Sequence, residues 1–148
     1  MSDFYQNGVI TTLHRLGASS LGRIEAELKH YARERPMALV LPCLHTEIDG
    51  SGLRGILEVL REVSYLHRII VSVSGTTQAD EFKRVREFFR PLPEVVCVWG
   101  SGPTVGELLE RQRASGLEPG RDGKGRAVWL GAKFATPPMQ ARGAGVII

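Results

Sequence analysis

Along most of the chain, short apolar runs alternate with apolar stripes at helical spacing. Leu21, Ile24, Leu28 and Tyr31 form the first stripe, behind the candidate caps Ser19 and Ser20. Pro36 closes that helix, because a proline steers the residue before it out of the α region. Met37 to Leu41 is then a continuous apolar run, as expected of a strand covered on both faces. Leu53, Ile56, Leu57, Leu60 and Val63 make a second stripe, and Arg68 to Ser74 a second strand around Ile69, Ile70, Val71 and Val73. Thr77 with Asp80 reads as a capping box before a helix carrying Phe82, Val85, Phe88 and Phe89. Val95 to Trp99 is a third strand. Thr104 is placed to cap a helix with Val105, Leu108 and Leu109 on one side. A polar, glycine-rich loop from Gly116 to Gly123 leads to a helix around Arg126 to Ala135, which Pro137 and Pro138 are expected to end. Gly145 to Ile148 reads as a last strand.

Strands alternating with helices imply an α/β fold: a doubly wound, mostly parallel sheet joined by right-handed crossovers. The expected organisation is an N-terminal arm over residues 1–18 and a single α/β domain over 19–148. Ligands in such sheets bind just beyond the carboxyl ends of the strands. Nothing follows Ile148, so the sheet is expected to be incomplete at its C-terminus and its pocket to lack one wall.

Composition narrows the function classes. The 148 residues are 43% hydrophobic and 24% charged, ordinary for a globular domain. No run approaches the ~18 apolar residues of a membrane span, and no signal peptide is visible, so a cytoplasmic location without membrane partners is expected. The net charge of +3 is mild. Basic residues alternate with acids, as in Arg54, Glu58, Arg61 and Glu62, and no aromatics interleave with them, so nucleic acid is not an expected partner. Cys43 and Cys97 form no C-x-x-C pair, and the four histidines show no metal-ligand spacing.

Four loops are candidates for chemistry. In Pro42-Cys43-Leu44-His45-Thr46-Glu47, Pro42 stiffens the strand exit, and Glu47 either accepts hydrogen bonds from a ligand or complements the helix that follows. Ser74-Gly75-Thr76-Thr77 could let backbone N–H groups approach a phosphate or ribose, or could be a plain capped turn. Gly100 to Gly106 nearly matches G-x-G-x-x-G, but Val105 takes the third glycine position and the loop follows the third strand, not the first. In Asp122 to Trp129, Lys124 lies between two glycines at a helix start, suited to a diphosphate or simply solvated. It is not a P-loop, because Glu118 and Gly125 occupy required positions.

Taken in order, Pro42-Cys43-Leu44-x-x-Glu47, Ser74-Gly75 and Gly123-Lys124-Gly125-x-Ala127-x-Trp129 resemble the glucosyl-3-phosphoglycerate synthases. Together with related mannosyl-transferring enzymes, these are retaining GT-A glycosyltransferases. The opening, Asp3-Phe4-Tyr5-Gln6-Asn7-Gly8 through Leu16-Gly17, is similar to that group's N-terminal arm. The resemblance implies the Rossmann-like, nucleotide-binding half of a GT-A domain. It also implies transfer of a hexose from a UDP- or GDP-sugar to 3-phosphoglycerate or a similar small acceptor. Pro42, Cys43, Leu44 and Glu47 would line the nucleoside, Ser74 would touch the same nucleotide, and Lys124 would approach the diphosphate, where positive charge stabilises the leaving group.

Two departures temper what is carried over. The second strand ends Ser72-Val73-Ser74, without the acidic residue that family members commonly carry near the base. The family's D-x-D segment, which holds a divalent metal (Mg or Mn) on the donor, would follow the strand matching Gly145 to Ile148 and is not present. The metal is therefore expected for the full-length enzyme and not in this chain, and the chain alone is expected to be an inactive, truncated domain. A non-catalytic nucleotide-binding or interaction module is the competing class, with the apolar surface of the terminal strand open to cover by a partner chain, as in a homo-oligomer. A dinucleotide-dependent oxidoreductase would rest only on the imperfect glycine loop.

Overall fold

The computed structural model describes residues 21–116 and 124–148, except the side chains at 124–127, 129, 134, 138, 142, 146 and 147. The N-terminal arm, Ser19 and Ser20, and most of the glycine-rich loop through Gly123 lie outside the described residues. The elements run α1 (Leu21–Glu34), β1 (Met37–Leu44), a 3-10 turn (His45–Asp49), α2 (Ser51–Glu62), β2 (Leu66–Ser74), α3 (Ala79–Phe89), β3 (Val95–Trp99), α4 (Pro103–Ala114), α5 (Lys124–Arg142) and β4 (Val146–Ile147).

The strands form one parallel sheet in the order β3-β2-β1-β4. The chain steps outward from β1 to β3 and then returns across the sheet to β4, so the strand order reverses between β1 and β4. Alternation along β2 builds a core on each face. Ile69, Val71 and Val73 pack with Cys43, Leu53, Leu60, Val85 and Phe89, beneath α2 and α3. Ile70 packs with Ala38, Val98, Val105, Leu130 and Ala135, beneath α4 and α5. The α/β, doubly wound architecture read from the sequence is the one observed. Among the described residues, no helix is long and apolar enough to cross a membrane.

Several boundaries differ from the sequence reading: β2 already begins at Leu66, β4 is confined to Val146–Ile147, and four further differences have a local physical reason. First, β1 continues through Pro42 to Leu44 rather than ending at Leu41. Proline is tolerated there because of ladder parity. Val40 donates to the Ile148 carbonyl at 2.9 Å, on the β4 side, and Pro42, two residues on, faces the same way. β4 pairs only with Met37 and Ala38, so the missing N–H breaks no bond among the described residues.

Second, α3 has Gln78 at its N-cap without a side-chain cap. Thr76 closes the turn instead, its Oγ1 accepting from Gln78 N at 3.0 Å. Asp80 is drawn to Lys83 at 2.8 Å, a hydrogen bond that holds its carboxyl below the usual range. Third, α4 starts at Pro103 behind Gly102, since a proline in the first helical turn sacrifices no hydrogen bond; Thr104 is already inside.

Fourth, α5 runs on through Pro137 and Pro138 to Arg142. Each proline removes a donor, but Leu130, Ala135 and Met139 bury against the sheet on both sides of the pair, and that packing carries the helix across. α1 shows the opposite balance. It has the periodicity of an amphipathic helix yet buries no residue, and Leu21, Ile24 and Tyr31 are exposed.

Two stability predictions follow. Pro137 is exposed, so Pro137→Ala restores an N–H without losing packing and should stabilise the chain by ~1 kcal/mol or more. Ile70 is fully buried, so Ile70→Ala should cost about 2–5 kcal/mol. Urea denaturation measures both.

Candidate functional site

The reversal between β1 and β4 puts a crevice at the carboxyl edge, the place where open α/β sheets bind ligands. Pro42, Cys43, Leu44, Glu47 and Ser74 all lie at this edge, because β1 and β2 pair in register from Leu39↔Ile69 to Leu44↔Ser74. They do not all offer side chains to it. Pro42 shares the α5 face of β1 with Ala38 and Val40 and is half-buried. Leu44 is exposed.

Cys43 points into the core beneath α2 and α3, only 1% exposed. Burial, with the nearby Glu47 charge, pushes its thiol up to about 12. Anything it gives a ligand must come from its backbone, and its carbonyl already accepts a long hydrogen bond from Ser74 Oγ at 3.5 Å. Glu47 is exposed, and its Oε2 accepts from Leu44 N at 2.9 Å. The turn-capping reading thus accounts for one carboxylate oxygen and leaves the other toward solvent.

Lys124 is the first residue of α5, and its side chain lies outside the described residues. Its backbone can still be placed. A Cβ on Gly131 would lie 2.3 Å from Val40 Cγ1, so α5 crosses β1 at that level. α5 reaches β4, which begins beside Met37, after a three-residue link, and so runs antiparallel to the strands. Lys124 is ~10 Å from Gly131 along the helix, and Leu44 ~13 Å from Val40 along the strand. The start of α5 therefore comes to the same edge as the end of β1.

Several residues not singled out in the sequence tie these loops together. Thr76 is buried; its hydroxyl donates to Glu81 on α3, and its carbonyl accepts from Trp99 Nε1 at 3.0 Å. His45 Nε2 lies 3.6 Å from the same Glu81 oxygen. The Trp99 ring stacks on Phe82 at 5.2 Å and 11°, and Arg84 bonds Asp49 at 3.0 Å. The exits of β1, β2 and β3 are thereby joined through α3. Their partners are 5 to 36 positions apart in the chain, so only the fold reveals the cluster. Glu81 and Thr76 could have been flagged as polar residues near a strand exit, but nothing in their spacing names His45 as a neighbour.

Two glycines mark close approaches. Gly75 has φ +78°, and a Cβ there would lie 2.3 Å from Leu44 Cδ1 and 3.3 Å from His45 Nδ1. The Ser74-Gly75 turn is thus shaped by the β1 exit lying against it. In the third loop, a Cβ on Gly102 would lie 2.9 Å from Trp99. That glycine serves packing at the outer strand β3, two strands from the crevice, so the dinucleotide reading gains no support. Among the described residues, no three His, Cys, Asp or Glu side chains converge as a metal set would require.

No family model matches the chain. Curated proteins do. The chain is 37% identical over 131 residues to a glucosyl-3-phosphoglycerate synthase of Persephonella marina (strain DSM 14350 / EX-H1), covering 88% of this chain and 32% of that protein. It is 28% identical over 137 residues to a glucosyl-3-phosphoglycerate synthase of Methanococcoides burtonii (strain DSM 6242 / NBRC 107633 / OCM 468 / ACE-M), covering 90% of this chain and 33% of that protein. The resemblance stated from the motifs is borne out over nearly the whole chain. The chain spans about a third of the length of these relatives.

Gly75→Ala should destabilise by about 1 kcal/mol, from the positive φ, and displace Leu44; thermal melting and the Leu44 methyl resonances report the two effects. Burial raises Cys97 to about 11 as it raises Cys43 to about 12, against an ordinary 9.0. The folded state therefore holds these protons more tightly than the unfolded chain. Stability is full below pH ~9 and falls as pH rises toward 11–12. Urea midpoints at pH 8 and pH 10 should show that loss, and Cys43→Ser should reduce it.

Proposed function

We propose that this chain supplies the donor-nucleotide side of a glycosyltransferase of the glucosyl-3-phosphoglycerate synthase type, which moves a hexose from a UDP- or GDP-sugar to 3-phosphoglycerate or a similar small acceptor. One observation carries the reading: on a chain 37% identical over 131 residues to a protein of that name, the Pro42–Glu47 segment leaves β1 where the strand order reverses.

In this proposal the base and ribose lie against Pro42 and Leu44. The Pro42 carbonyl, the unengaged oxygen of Glu47 and the Ser74 hydroxyl meet their polar groups. Lys124, at the start of α5, offsets diphosphate charge together with the helix N-terminus, as the bond from the sugar to the diphosphate breaks and a bond to the acceptor hydroxyl forms. A divalent metal would add the larger share of that neutralisation. Because the described residues bring no metal set together, we expect this chain by itself to bind donor weakly, with Kd on the order of millimolar, and not to turn over. The setting proposed is cytoplasmic.

A non-catalytic nucleotide-binding or interaction module is the second reading. It is favoured by the internal engagement of the very residues named: Cys43 is core, and Glu47 and Ser74 already bond the backbone.

Calorimetric titration of the chain with UDP and GDP, with and without Mn²⁺, tests the proposal. Weak binding that Lys124→Gln lowers about fivefold is expected, from the loss of one charge at the diphosphate. No saturable binding of either nucleotide, or binding indifferent to Lys124, would sink the donor-site reading. Transfer to 3-phosphoglycerate by this chain would overturn its expected inactivity.

A further inference from the structure

At the opposite, amino end of the sheet lies a cleft of about 400 Å³ that the donor-site reading does not use. Lys29, Ala32 and Arg33 of α1 form one wall, and Ser64, Tyr65 and His67, leading into β2, form the other. Helical periodicity sets the first wall, since positions 29, 32 and 33 share one side of α1. A β-bulge sets the second. Met37 pairs with Leu66 and Ala38 with Arg68, so His67 is an extra residue with no partner on β1. Bulges of this kind re-aim a side chain out of the regular ladder.

Charge gives the cleft its character. Each ionisable group of its lining that can carry a full charge near neutral pH is basic, and no carboxylate lines it. Several exposed cations elsewhere are matched with acids, as are Arg23 with Glu27, Lys83 with Asp80, Arg84 with Asp49, Arg90 with Glu87 and Arg113 with Glu110. Lys29 and Arg33 enter no ion pair among the described residues. A cation in the last turn of a helix has a bland explanation, since it complements the helix dipole. That explanation covers Arg33 but neither the bulged His67 opposite it nor the lack of any acid between them.

We propose that this cleft is a binding site for a small phosphate-type oxyanion, either free phosphate or the phosphate group of a small ester. Arg33 can present a planar pair of N–H donors to two oxygens, and Lys29 a mobile point charge. Ser64, Tyr65 and His67 supply shorter-range donors around them. The two walls come from different elements, α1 and the α2–β2 connection. α1 otherwise buries nothing, so an anion bridging the cleft would fasten α1 to the sheet.

The test is titration of the full chain with inorganic phosphate, and separately with glycerol 3-phosphate, at low ionic strength, followed by amide and His67 ring resonances. Millimolar saturation with shifts confined to Lys29–Arg33 and Ser64–Arg68 is expected. At least tenfold weakening is expected in Lys29→Glu/Arg33→Glu, each charge contributing about fivefold at contact distance in water. The milder Lys29→Gln/Arg33→Gln pair keeps the test valid if the reversed pair fails to fold. Tighter binding of the ester assigns the site to phosphorylated small molecules, and equal affinity assigns it to phosphate itself. Shifts located elsewhere, or affinity unchanged in both double variants, would overturn the proposal.

Discussion

Everything in this domain hangs on β2. The strand is hydrogen-bonded to β1 on one side and β3 on the other, and from Ile69 to Val73 it is buried on both faces. Its alternating side chains reach both cores, so the packing of α2 and α3 on one face is tied to that of α4 and α5 on the other. A strand in that position cannot shift register without moving every apolar residue to the wrong side. Ser72, buried in the middle of it, has no hydrogen-bond partner for its hydroxyl among the described residues. The position tolerates that cost because backbone pairing on both sides fixes it in place.

From that rigid strand the carboxyl edge inherits its order. The loops leaving β1, β2 and β3 are short and polar, the kind of segment expected to move. They are fastened instead to α3, through Glu81 and through the Phe82–Trp99 stack. The carboxylate of Glu81 serves a hydroxyl from one loop and faces an imidazole from another. A change in either loop is therefore felt by both. If the crevice receives a nucleotide as proposed, such coupling fixes its floor before the ligand arrives.

Much of this was legible in the sequence, and what was not has identifiable physical causes. The three long strands were visible because each is an apolar run covered on both sides, and the order of elements was enough to specify a doubly wound sheet. Tertiary structure overrode local rules at two places: α5 crosses Pro137 and Pro138 because Leu130, Ala135 and Met139 are held by the sheet, and β1 accommodates Pro42 because the missing donor faces an edge that no described strand pairs at that level. Cys43 could have been assigned to the core by counting alternate positions from Leu39 and Leu41, which share its face. Glu47 and Ser74 could be found by type and position after a strand. The His45–Thr76–Glu81 group could not, since its members meet only after the β1–α2–β2 crossover brings their loops side by side.

The proline of β1 also bears on how the molecule behaves among its own copies. From Val40 to Leu44, the side of β1 turned toward β4 presents carbonyl acceptors but no free amide: Val40 N is bonded to Ile148, Pro42 has none, and Leu44 N is held by Glu47. A strand arriving from another chain needs donors and acceptors in alternation to add itself to a sheet. Here it would find only acceptors, and its own carbonyls would stay unmatched. The same chemistry that leaves a crevice open for a ligand makes that edge a poor template for aggregation.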